Sequence, residues 1–160
     1  MSFKEIGFFI LLSVVVYFLT ARSSEGVRVG DQKVDHSWWI TDFSEAQKLS
    51  KESGKPMLVN FTGSDWCHYC VELEKDVFGT SDFRLWASQN VIPVFIDFPK
   101  RTQLEKKQAD HNNALAQKYG IQGFPTVLFM NAEGGILGRS GYIPGGPEVW
   151  IEDAEGQLKK

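Results

Sequence analysis

Two cysteines, Cys67 and Cys70, are the only thiols in the chain, and they stand at C-x-x-C spacing inside the stretch NFTGSDWCHYCVE. An apolar run, residues 57–61, leads into that stretch, and a charged, helix-favouring run, residues 71–77, leads out. The order reads strand, short loop, helix, with Cys67 at the helix N-terminus. There the unpaired backbone N–H groups and the helix dipole favour an anion. A thiolate is such an anion, so the position lowers the expected pKa of Cys67 and makes it the attacking sulfur. Cys70 follows one helical turn later on the same face. It can attack a mixed disulfide formed at Cys67 and release the partner reduced.

Other uses of two thiols compete with this one. A zinc site needs four ligands. The chain has three histidines, of which only His68 is near the pair. Two thiolates also suit Cu(I), so a copper-handling role stays open, as does an inert pair in a binding module. His68, as imidazolium, would favour a Cys67 thiolate, whereas Asp65 nearby would oppose it. Trp66 is expected to pack beside the pair and shield it from water.

The elements that must hold this pair follow from patterning. Trp38, Trp39 and Ile40 read as a short edge strand that starts the ordered chain. Asp42 and Glu45 resemble a capping box, and Phe43, Ala46 and Leu49 give helical spacing up to a C-cap at Gly54. The run 57–61 is nearly all apolar, which indicates a strand buried on both faces. The motif helix is expected over 67–78, with Asp82 capping a second piece over 83–89. A central strand is expected over 91–98, with Pro93 near its start or at a bulge. Residues 99–108 read as a charged, locally basic loop, a solvated stretch or a docking surface for an acidic partner or lipid headgroups. A helix from Asn112 or Asn113 to Tyr119 follows, then a strand at 126–130, an Asn/Gly turn at 131–135, an antiparallel strand at 136–142 and a last helix at 148–158. The sum is an α/β order with a parallel half and a terminal hairpin.

Bulk properties bound the rest. The chain has 160 residues and a formal net charge of −3. That is one domain plus a targeting segment, with no basic field that would point to nucleic acid. Residues 6–19 are apolar apart from Gly7 and Ser13. The run is short for a comfortable bilayer span and matches a signal-peptide core. Residues 1–25 therefore read as a cleaved signal peptide or a retained membrane anchor, 26–35 as a linker, and 36–160 as the folded domain. Either reading puts the domain outside the cytoplasm, periplasmic or secreted, where disulfides persist. A monomer is the default for a small carrier with one motif.

Over roughly residues 38–158 the sequence resembles the thioredoxin superfamily. The resemblance rests on the strand MLVNF, on Trp66-Cys67-His68-Tyr69-Cys70, and on Gly123-Phe124-Pro125-Thr126 followed by VLFM. Within the superfamily it looks most like exported bacterial domains related to the C-terminal domain of the thiol:disulfide interchange protein. The resemblance implies a thioredoxin fold, a central mixed β-sheet flanked by helices. It implies catalysis by Cys67 and Cys70, supported by Trp66, His68, Tyr69, Phe124 and Pro125, with a redox-active disulfide and no other cofactor or metal. Pro125 would be cis, and the Phe124 backbone would pair with an extended protein substrate. The partners would be protein thiols and disulfides, plus a thiol-protein electron donor, membrane-bound or soluble. Reduction is the first expectation, disulfide formation or isomerisation the second, and a copper chaperone the reading from another class. Two positions depart from the family. Tyr69 stands where strong oxidants and isomerases carry histidine. Asn60 stands where thioredoxin has a buried aspartate that assists proton transfer at the resolving thiol, so that proton must go to water or to another carboxylate, with Glu72 and Glu74 as candidates.

Overall fold

A computed structural model describes residues 36–159. The expected leader, anchor and linker lie outside these residues. Helix α1, Phe43–Ser53, starts where Asp42 accepts hydrogen bonds from the Ser44 and Glu45 backbone N–H groups at 2.8 and 3.1 Å. It ends at Gly54, whose φ of 72° is the left-handed cap conformation that glycine adopts without penalty. Strand β1, Met57–Thr62, is buried at every position. Its side chains alternate between two cores, as a strand between two layers requires. Leu58 faces a core with Leu73, Phe78, Phe83 and Trp150, and Met57, Val59 and Phe61 face one with Phe43, Ile96, Leu115 and Leu128.

Helix α2, His68–Leu73, runs on into a widened π-helical turn, Glu74–Phe78. That turn closes with a 2.7 Å bond from the Gly79 N–H to the Glu74 carbonyl. A Cβ on Gly79 would lie 2.9 Å from the same oxygen, so the close approach needs glycine. The widened turn brings Leu73, Glu74, Val77 and Phe78 all to the buried side. Such insertions concentrate at functional sites. Helix α3, Ser81–Asn90, is capped by Thr80, whose hydroxyl accepts from the Phe83 N–H at 3.3 Å. Asp82 falls inside the first turn instead of capping it.

Strand β2, Ile92–Asp97, runs parallel to β1. Strands β3, Thr126–Met130, and β4, Ile136–Ser140, run antiparallel, β3 beside β1 and β4 beside β3. The sheet order is β2-β1-β3-β4. The strand expected to be central is thus the outer one, and β1 and β3 are central. Pro93 fits this, since an outer strand tolerates a missing donor. Trp38–Ile40 does not form a strand. Only Ile40 bridges to β2, through bonds of 3.0 and 2.8 Å to Pro93 and Phe95. Helix α4 is Lys106–Lys118, longer than expected, and it takes in the end of the basic stretch. It buries only Asn112 and Leu115 and has no side-chain cap, so little in its pattern marks its start. Helix α5, Gly146–Leu158, packs Trp150 and Ala154 against the α2 side of the sheet.

Candidate active site

The two cysteines sit where β1 hands over to α2. The Cys67 N–H bonds back to the Gly63 carbonyl at 2.9 Å, which turns the chain so that Cys67 becomes the N-cap of α2. Cys67 and Cys70 are joined as a disulfide, with Cα atoms 5.2 Å apart. The Cys70 N–H donates to the Cys67 sulfur at 3.3 Å, and the Gly63 N–H donates to the Cys70 sulfur at 3.4 Å. In the reduced protein each donor would favour the thiolate of the sulfur it faces. Cys67 is 8 % exposed and Cys70 4 %, so both lie buried.

A second wall comes from the loop before β3. The Phe124–Pro125 peptide is cis. The Phe124 carbonyl oxygen stands 3.5 Å from the Cys67 sulfur. The Phe124 ring stacks on Phe98 at 5.0 Å and meets Trp66 edge-on at 6.0 Å. Trp66 lies across Gly63 and donates its indole N–H to the Phe98 carbonyl at 2.7 Å. Lys100 Nζ rests 3.6 Å from the Trp66 ring centroid. Trp66 is thus held by Phe98, Phe124 and Lys100.

The Asp65 carboxylate is engaged by the basic loop. It accepts the backbone N–H groups of Lys100, Arg101 and Thr102 at 2.9, 2.7 and 2.9 Å. These bonds, Lys100's foremost, hold its pKa below the ordinary aspartate value. Its role is to pin the basic loop beside Trp66. His68 is exposed, its ring lying 5.3 Å from that of Tyr69. Among the described residues no hydrogen bond joins it to either sulfur. Tyr69, 58 % exposed, stacks on Tyr142 at 5.7 Å. The Tyr142 hydroxyl donates to Asp76 at 3.4 Å, and burial, then the Asp76 and Glu72 charges, raise its pKa. Tyr142 also packs against the core.

Beneath α2 lies a polar cluster. Asn60 is 2 % exposed and its Oδ1 has no hydrogen-bond partner. Glu74 is 9 % exposed, and its Oε1 likewise has none. Each such orphan costs on the order of 1–3 kcal/mol. Glu74 Oε2 stands 3.5 Å from Nε2 of His36, whose ring stacks on Phe95 at 4.4 Å. Phe95 is the register partner of Asn60 across β1 and β2. His36 carries no motif and no periodic position, so no sequence signal pointed to it. Among the described residues, no group of three or more His, Cys, Asp or Glu side chains could hold a metal ion.

A family model described as a thioredoxin-like domain matches residues 43–153. The chain belongs to that thioredoxin-like family. Among curated relatives, the disulfide bond reductase DsbH of Chlamydia pneumoniae is 34 % identical over 117 residues, covering 73 % of this chain and 70 % of that protein. The thiol:disulfide interchange protein DsbD of Klebsiella pneumoniae is 31 % identical over 88 residues, 55 % of this chain and only 13 % of that protein. A solved DsbH oxidoreductase structure superposes with a TM-score of 0.73 at 30 % identity, covering 88 % of this chain and 97 % of that one. The thioredoxin-like chain is a disulfide oxidoreductase with the thioredoxin fold, as its C-x-x-C pair and these relatives show.

Proposed function

We propose that this thioredoxin-like protein is an extracytoplasmic reductase of protein disulfides. The observation that carries the reading is the Cys67 sulfur at the α2 N-cap, facing the Cys70 N–H at 3.3 Å and the Phe124 carbonyl at 3.5 Å. In the reduced protein the Cys67 thiolate attacks a substrate disulfide, forms a mixed disulfide and expels one substrate thiol. Cys70 then gives up its proton, attacks Cys67 and expels the second substrate thiol, leaving the Cys67–Cys70 disulfide. The balance is two enzyme thiols oxidised for one substrate disulfide reduced, and a thiol protein, membrane-bound or soluble, restores the dithiol. Phe124 backbone groups beside the cis Pro125 pair with the extended substrate segment, while Trp66 and Tyr69 flank it. His68 has only a long-range part, given its place against Tyr69.

Asn60 cannot accept the Cys70 proton as a carboxylate would. Glu74, one turn beyond Cys70 on the same helix and buried, takes that place. Glu72 lies toward Tyr142 and is half-buried, so it is the poorer acceptor. The export reading rests on residues 6–19. Among the described residues no helix is long and apolar enough to cross a membrane. The reduction potential of the pair, from equilibration with glutathione and thiol trapping, tests the direction of flow. A value near about −270 mV supports the reductase; a value near about −120 mV would make the protein an oxidant. A Cys70→Ser variant should accumulate mixed disulfides with substrate proteins at Cys67.

A further inference from the structure

The His36–Glu74 contact joins the segment before α1 to the π turn that continues α2. His36 belongs to the segment before α1 and reaches under the active-site helix by stacking on Phe95. Its Nε2 is buried and makes no hydrogen bond; the Glu74 carboxylate is the charged group it faces, at 3.5 Å. The His36 side chain as a whole keeps 32 % of its surface exposed, whereas that of Glu74 keeps 11 %. One end of the pair therefore touches solvent and the other lies in the interior, a turn from Cys70. Other charged groups of this region are engaged elsewhere. Lys75 pairs with Asp76 at 3.8 Å, and Asp76 takes the Tyr142 hydroxyl. On the helices packed against the π turn, Asp82 bonds Ser81, Arg84 lies over Trp38, Asp153 bonds Ser140 and Glu155 pairs with Lys159.

We propose that His36 is a positioning residue for Glu74: it orients the buried carboxylate and carries away to solvent the proton that Cys70 gives up when it resolves the mixed disulfide. The inference rests on the reductase reading and on Glu74 as the acceptor. The step balances without a further reactant. Cys70 passes its proton to Glu74, the Cys70 thiolate forms the bond to the Cys67 sulfur, the substrate thiolate leaves, and the proton moves from Glu74 through the His36 imidazole to water. Buried carboxyl groups in such a place need an exit, because a proton kept on Glu74 would leave it unable to act in the next turnover.

The test follows the two thiol steps separately. The reduced full chain is mixed with one equivalent of the chromogenic aromatic disulfide DTNB in a stopped-flow instrument. The first thionitrobenzoate released reports attack by Cys67, and the second, in a concentration-independent phase, reports resolution by Cys70. His36→Phe keeps a ring to stack on Phe95 but removes the imidazole. His36→Gln keeps a polar end without a titrating ring. Both, and Glu74→Gln, should slow the second phase about tenfold near neutral pH, less than the usual ~10²–10⁴-fold of general acid–base catalysis because the leaving group here is already a good one, with the first phase within about twofold. His36→Phe and Glu74→Gln combined in one chain should slow it no further than the worse single change, because they interrupt one path. The pH dependence of the second phase should steepen in all three single variants, because resolution then waits on loss of the Cys70 proton to solvent. A second phase in His36→Phe and His36→Gln that keeps the parent's rate and pH profile would overturn the proposal while leaving the reductase intact. Release of only one equivalent by the parent protein would instead overturn the dithiol reading on which it rests.

Discussion

Replacing Gly63 by alanine probes how Trp66 is held against Phe98 and Phe124. A Cβ at position 63 would lie 2.6 Å from Cε2, 2.7 Å from Nε1 and 2.9 Å from Cζ2 of the Trp66 indole. None of these separations is tolerable, so the indole must swing away. It then loses its 2.7 Å bond to the Phe98 carbonyl, worth about 0.5–1.5 kcal/mol. It also loses the edge contact with Phe124, about 0.5–1.5 kcal/mol, and the Lys100 contact, about 0.5–1 kcal/mol. Stiffening the unfolded chain by Gly→Ala returns about 0.4–1 kcal/mol, since the Gly63 φ is not in the left-handed region. The expected net loss is about 1–3 kcal/mol, read as a lower denaturant midpoint at unchanged slope. The decisive control is the double-mutant cycle with Trp66→Ala. In that background Gly63→Ala meets no ring and should be neutral or slightly stabilising. If Gly63→Ala destabilises equally with and without the Trp66 ring, the claim that glycine is there for the indole is wrong.

Two further perturbations test the frame around the site. Trp150 is fully buried among Phe78, Phe83, Trp86 and Phe129 and donates to the Gly141 carbonyl at 2.9 Å. Trp150→Ala should cost about 3–5 kcal/mol in urea unfolding, and a loss below about 1 kcal/mol would contradict this packing. Asp65 has a folded pKa below its ordinary 3.8, so the stability it lends the 99–102 loop is present above that ordinary value and lost as pH falls through the lower folded one. Hydrogen exchange at the Lys100, Arg101 and Thr102 amides should therefore quicken relative to the rest of the domain in strong acid, and Asp65→Asn should show that quickening already at neutral pH.

Local signals in the chain carried much of this protein. Cys67 and Cys70 declare their chemistry by spacing and by their place between an apolar run and a helix, because one helical turn is enough to bring them together. Asp42 and Gly54 mark the ends of α1 since capping depends on residues within a few positions of the cap. The nearly all-apolar β1 announces a strand covered on both sides. Where two nearby residues could serve, as with Thr80 and Asp82, the cap went to the residue that also donates to the Val77 carbonyl at 2.6 Å, a contact set by the end of the π turn. The start of α4 was hidden because its exposed first turns bury almost nothing.

The remaining features are contacts between positions far apart in sequence, which no local pattern encodes. Sheet order is one: β2 became the outer strand because β3 pairs with the other side of β1. Asp65 is another; its hydrogen-bond partners lie 35 to 37 residues away, and they make it the anchor of a loop. His68 adjoins Cys67 in sequence yet its ring lies against Tyr69, since helix geometry carries the two side chains apart. His36, with nothing in its sequence surroundings to mark it, meets Glu74 only because Phe95 gives its ring a surface to stack on. Residue order alone thus specifies the dithiol and the fold that presents it. Which charged side chains face the dithiol is settled in three dimensions, because burial and distance, not adjacency, set their influence.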